Sequence, residues 1–196
     1  MPPRVRAADR EDARDDALGS CAVPTAAELV DRLTLVVPDF PEPGVLFRDL
    51  TPTLADAAAL RSITDDLVAA FAGRFDLVAG IEARGFLLAA AAAYAAGTGV
   101  VAVRKAGKLP PRTLIEHYEL EYGAAALEIR ADQLAPGTRV LVLDDVLATG
   151  GTVEATCTLL ERAGAQVAGV GVVLELAGLG GRQRLEGREV HAIRVV

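Results

Sequence analysis

The thirteen residues Val140-Leu141-Val142-Leu143-Asp144-Asp145-Val146-Leu147-Ala148-Thr149-Gly150-Gly151-Thr152 join three chemically distinct parts. An apolar strand ends in two adjacent carboxylates, and a turn of small residues then opens a helix. Gly150 and Gly151 let the main chain approach a ligand closely. The helix start offers unpaired N–H groups and partial positive charge, with hydroxyls from Thr149 and Thr152, which together make a cradle for phosphate. Asp144 and Asp145 would repel a polyphosphate but accept hydrogen bonds from vicinal hydroxyls. A ribose 5-phosphate satisfies both halves, with its phosphate in the turn (Ala148 to Thr152) and its 2′- and 3′-hydroxyls on the acids. No lysine follows the second glycine as in a Walker A loop, and no G-x-G-x-x-G follows a candidate strand. The plain alternative is an acidic turn before a Thr-capped helix.

Arg84, Arg104, Lys105 and Lys108 also follow expected strands, which puts them along the same sheet edge. Such a cluster suits an anion such as pyrophosphate, which arginine binds bidentately and lysine neutralises. The plain alternative is a solvated basic loop.

The thirteen-residue segment resembles the PRPP-binding motif of type I phosphoribosyltransferases. Glu82-Ala83-Arg84-Gly85 is similar to their pyrophosphate loop, where a non-proline cis peptide is often found. Phe40 to Leu50, Ile81 to Phe86, Val103 to Pro110 and Tyr118-Glu119-Leu120-Glu121-Tyr122-Gly123 resemble segments of the adenine phosphoribosyltransferases, over about Leu29 to Leu185. The resemblance implies that Leu46 binds adenine through its main chain, with Phe47 and Arg48 in the pocket and Leu176 packing on the ring. It also implies that Glu121, in a mobile hood, handles the proton at adenine N7. Magnesium would be bound mainly through PRPP and pyrophosphate oxygens, and the chain would form a homodimer. His117 departs from the family pattern and is given no role; His191 reads as structural or exposed.

The implied reaction joins adenine to PRPP, giving AMP and pyrophosphate. No covalent protein nucleophile is needed, so catalysis rests on positioning and on stabilising the leaving pyrophosphate by Arg84, Lys105 and Lys108. Two alternatives stay open. A phosphoribosyltransferase for another base would be separated by base competition. A PRPP-sensing regulator would bind PRPP without turnover, and would carry a DNA-binding helical domain for which 24 residues are too short.

These groups need a scaffold. The spacing predicts helices over Ala26–Leu35, Asp56–Ala72, Phe86–Ala96 and Gly151–Ala163. It predicts strands over Leu77–Ile81, Val100–Val103, Arg139–Leu143 and Gln166–Leu174. Leu60, Ile63, Leu67, Val68 and Phe71 form one helical stripe, with Gly73 as its stop. Short apolar strands alternating with helices imply an α/β fold with a central, mostly parallel sheet flanked by helices. Pro38, Pro41 and Pro43 read as an irregular segment. Residues 105–130 break the rhythm and read as a hood hairpin outside the sheet. Residues 1–24 are charged and aperiodic, an expected disordered extension, which leaves 25–196 as one domain.

The 196 residues carry 20 Lys and Arg against 27 Asp and Glu, a net charge of −7, which argues against a nucleic-acid partner. Cys21 and Cys157 are expected as free thiols suited to a reducing cytoplasm. Gly85–Val103 is uncharged, but it is rich in alanine and broken by Gly97-Thr98-Gly99, so it reads as helix, turn and strand rather than a membrane span.

Overall fold

An unbroken apolar strand must be covered on both faces, and the central strands Leu77–Ile81, Arg139–Leu147 and Gln166–Glu175 follow that rule. The computed structural model describes residues 23–120 and 123–196. Five strands are parallel: β3 (Leu77–Ile81), β4 (Gly99–Lys105), β7 (Arg139–Leu147), β8 (Gln166–Glu175) and β9 (Val190–Val195). A hairpin of β5 (Thr113–Leu120) and β6 (Gly123–Arg130) is antiparallel. The sheet order is β5-β6-β4-β3-β7-β8-β9.

Alternate residues of each strand serve opposite faces. Val140 and Val142 join Val153, Leu159 and Leu160 of α5 (Gly151–Arg162) in one core. Leu141 and Leu143 join Ile63 and Leu67 of α3 (Ala57–Ala70), its C-cap Phe71, and Leu88 and Ala92 of α4 (Gly85–Ala96) in the other. Glycine sets how closely α3 approaches. A methyl at Gly169 would lie 2.1 Å from the Phe71 ring. Within the expected stripe Ile63, Leu67 and Phe71 are buried, while Leu60 and Val68 are only partly covered.

Most boundaries fall within two residues of the expected ones, and four differences matter. The hood is part of the sheet, because β6 pairs with β4 at Arg104↔Glu128 and Lys105↔Leu127. The proline segment is framed by a small hairpin of β1 (Leu35–Pro38) and β2 (Leu46–Asp49), so α1 (Ala26–Leu33) stops at Thr34. Asp144 and Asp145 lie inside β7 rather than beyond its end. The α4 segment is half exposed, with Leu87 57% and Tyr94 91% accessible beside Val100 at 52%. Alanine-rich sequence carries too little polarity to reveal which face is outward. No described helix is long and apolar enough to cross a membrane.

Two short helices, α2 (Thr51–Ala55) and α6 (Gly181–Arg184), and β9 were not foreseen. Cys157 is a buried free thiol, pushed up to about 11 by burial; Cys21 lies outside the described residues.

Candidate active site

From β3 the chain passes through α4 to β4 on one side; from β7 it passes through α5 to β8 on the other. The strand order therefore reverses between β3 and β7, and open α/β sheets form their ligand crevice at the carboxyl ends of such a pair. Pairing of β3 with β7 stops at Gly80↔Leu143, whereas β7 stays paired with β8 through Leu147↔Glu175. Asp144 and Asp145 are the first residues of β7 past that stop.

The start of α4 packs directly on them. A methyl at Gly85 would meet the Leu143 carbonyl at 2.8 Å and Asp144 Oδ1 at 3.1 Å. Arg84 Nε lies 2.5 Å from Oδ2 of the buried Asp145. That contact is not a well-directed hydrogen bond, and Oδ2 has no other partner among the described residues. Asp144 Oδ1 accepts only the Asp145 N–H, at 2.9 Å. Burial, then the neighbouring Asp145 charge, pushes the Asp144 carboxyl well above the ordinary range, against the pull of the Asp145 N–H and Arg84. Two carboxylates thus face one guanidinium, and the pair is short of donors that a diol would supply.

The turn that follows is built by glycine. Gly150 has φ +82°, and no side chain caps α5. The Thr-capped alternative therefore does not hold, and the first N–H groups of α5 stay available to an anion. Asp144, Val146 and the Leu147–Val153 segment line a cleft of about 70 Å³ there. Packing also requires glycine at this turn. A methyl at Gly150 would lie 2.8 Å from Gly181 O, and one at Gly181 would lie 2.2 Å from Ala148 O. The turn rests main chain to main chain on α6. Arg182 pairs there with the buried Glu175 (Nε–Oε1 2.8 Å) and donates to the Val190 carbonyl, while Arg184 pairs with Glu154 of α5.

The cations are only partly gathered. Arg84 reaches Asp145 as the N-cap residue of α4, which also lacks a side-chain cap. Arg104 and Lys105 belong to β4 rather than to a loop after it. Arg104 Nε is buried 3.5 Å from Glu82 Oε2, which also accepts the Lys105 N–H at 2.9 Å. Lys105 and Lys108 are exposed. The Glu82–Ala83 peptide is cis.

Leu46, Phe47 and Arg48 form β2, away from the large sheet. Leu46 is 60% exposed, and Phe47 packs edge-to-face on Phe40 with centroids 5.1 Å apart. Asp49, at the end of β2, accepts the Thr51 N–H at 2.9 Å. Leu176 follows β8 and donates its N–H to Leu147 O at 2.9 Å, beside the phosphate turn. Glu121 and Tyr122 lie outside the described residues. His117 is exposed and lines a separate cleft of about 350 Å³ between β5 and α5. His191 is bonded to Asp66 at 2.6 Å.

Gly181, Arg182, Glu175 and Glu128 were missed from sequence, and Glu82 was named only as part of the Glu82-Ala83-Arg84-Gly85 segment. A Gly-Gly-Arg run after an apolar strand was the available signal for the first of these.

The phosphoribosyl transferase domain family matches residues 49–194. Adenine phosphoribosyltransferase of Clavibacter sepedonicus is 69% identical over 175 residues, 88% of this chain and 91% of that protein. Among solved structures, adenine phosphoribosyltransferase from Rhodothermus marinus shares 46% identity with a TM-score of 0.82, covering 87% of this chain and 98% of that one. The Saccharomyces cerevisiae enzyme, complexed with an imino-altritol bisphosphate and adenine, shares 34% identity and a TM-score of 0.81, covering 86% and 98%. With this crevice at its sheet edge, the chain belongs to the phosphoribosyl transferase family and, within it, to the adenine phosphoribosyltransferases, pentosyltransferases of purine salvage.

Proposed function

We propose that adenine N9 attacks C1 of the PRPP ribose while the C1–oxygen bond to pyrophosphate breaks, so that AMP and pyrophosphate leave. The observation that carries this reading is the donor-poor acid pair of β7 between Arg84 and the uncapped start of α5. Asp144 and Asp145 accept the 2′- and 3′-hydroxyls. Ala148, Thr149, Gly150, Gly151 and Thr152 hold the 5′-phosphate. Arg84, Arg104, Lys105 and Lys108 bind pyrophosphate, and positive charge there stabilises it as it departs. Leu46, Phe47, Arg48 and Leu176 form the adenine pocket, in keeping with the adenine bound to the yeast relative. Glu121 exchanges the proton at N7 as N9 attacks, and the hood (105–130) excludes water from the site.

Magnesium fits this chemistry through PRPP oxygens and water. Oδ2 of Asp145, without a directed hydrogen bond, is a hard oxygen donor of the kind the ion accepts. Among the described residues no group of three or more acidic, His or Cys side chains is assembled to hold a metal. When bound, the ion neutralises pyrophosphate charge. The exposed apolar patch of Leu87, Tyr94 and Val100 suits burial against a second copy, which supports a homodimer. The free thiol of Cys157 suits a reducing cytoplasm, and residues 25–196 act as one domain.

The test is incubation with PRPP, Mg²⁺ and each purine in turn. Adenine alone should yield its nucleotide with pyrophosphate. Equal conversion of hypoxanthine would overturn the base assignment, and tight PRPP binding without turnover would favour the regulator.

A further inference from the structure

The loop from Lys105 to Leu109 carries two of the cations assigned to pyrophosphate, and its main chain is held by carboxylates. Strand pairing fixes it only as far as Ala106, whose N–H donates to Ala126 O at 2.9 Å. Gly107 then turns the chain away with φ +85°. Beyond that point one side chain takes over. Glu128 of β6, opposite Arg104 in register and 2% exposed, accepts the N–H groups of Lys108 (2.6 Å) and Leu109 (2.7 Å) on its Oε1. At the near end Glu82 accepts the Lys105 N–H at 2.9 Å.

We propose that Glu128 is a positioning residue for the transfer reaction: it ties the loop that carries Lys105 and Lys108 to the hood strand and fixes where Lys108 projects. The proposal rests on the assignment of those lysines to pyrophosphate. A buried carboxylate is tolerated only when its charge is met by donors. Burial pushes the Glu128 carboxyl up, and the N–H groups of Leu109, Lys108 and Gly107 with the Thr113 hydroxyl more than offset this, leaving it below the ordinary range. An ionised acceptor binds two N–H groups more strongly than a neutral one. Because an internal anion occupies these main-chain donors, pyrophosphate is left to the lysine side chains.

Calorimetric titration with magnesium pyrophosphate, and separately with AMP, tests this on the full chain. AMP reads the phosphate turn and base pocket, which Glu128 does not touch. Glu128→Ala should weaken pyrophosphate binding by roughly tenfold or more, the loss of about one charge-assisted hydrogen bond, and leave AMP within about twofold. Glu128→Gln keeps the acceptor without its charge and should recover part of the loss. Unchanged pyrophosphate affinity in Glu128→Ala, or a parallel loss of AMP, overturns the proposal. Should Glu128→Ala not fold, Glu128→Gln decides: reduced pyrophosphate affinity with AMP intact supports the role, and parent-like affinity for both overturns it. Lys105→Ala with Lys108→Ala identifies where a failure lies. If that double variant binds pyrophosphate like the parent, the loop assignment falls and the proposal with it. If it is weakened while Glu128→Ala is not, only the role of Glu128 falls.

Discussion

Asp144 is held in an environment that penalises its charge. Its carboxyl is raised by burial and by Asp145, so the folded chain retains a proton that the unfolded chain gives up near pH ~3.9. Its contribution to stability is therefore complete below that pH and is lost as pH rises through the raised native value. Asp144→Asn removes this loss. At pH 7 the ligand-free variant should melt higher than the parent. PRPP should protect it far less, because a charge-assisted bond worth roughly 1.5–3 kcal/mol is gone. Melting curves with and without PRPP at pH 5 and 7 check both signs, and equal protection of variant and parent would remove Asp144 from the site. Glu121→Gln should instead lower turnover by about 10²–10⁴-fold with PRPP affinity kept. Glu119→Gln is the control, and single-turnover rates decide between them.

At the scale of elements, the phosphate turn is only as well placed as the short helix beneath it. The Gly181 Cα hydrogen faces Ala148 O, where a methyl would approach to 2.2 Å from main chain that cannot rotate away. Gly181→Ala should therefore raise KM for PRPP at least tenfold and destabilise the fold by roughly 1–3 kcal/mol, as overpacking does. Steady-state kinetics with denaturant melts measure the two effects. The β7–turn–α5 unit was legible in the sequence because a continuous apolar run, two acids and a Gly pair are local signals. The support under it was not. Four residues of α6 are too few to show a helical period, and β9 is an edge strand whose Val190, His191, Ala192 and Ile193 are only half covered. Glu128 could not be singled out among many acids, since its importance lies in what β4 places opposite it. Leu143 looked like a strand end because charge normally marks a loop; here the strand continues on its β8 side alone. The cation cluster was read as a single sheet edge, and only Arg84 meets the acids directly, because Arg104 is turned to Glu82.

For the whole molecule, the two cores differ in how they are closed. The α5 side is sealed by the hood, with Leu127 and Ile129 buried. The α4 side ends in Leu87, Tyr94 and Val100, which are left open to solvent. Placing a charge there should disrupt self-association without reaching the crevice. Tyr94→Glu is expected to shift the protein to half its parent mass in light scattering at micromolar concentration. A parent that is already monomeric would refute the dimer.

The hood's attachment has a kinetic corollary. β6 meets β4 at two residue pairs only, and Arg162 of α5 holds Ile115 and Glu116 near the hairpin's base. Beyond Ala126 the hairpin has no strand partner in the rest of the sheet, while Leu127 and Ile129 stay buried in the core, so its distal amides should exchange with deuterium through local opening, insensitive to low denaturant. Amides of Val78–Gly80 and Val140–Val142 lie in paired central strands and should exchange only when the whole sheet unfolds. Uniform exchange across both sets would mean that hood and sheet open as one. Separate rates would mean that the hairpin opens on its own, and that evolution can retune how often it does so without altering the lifetime of the fold.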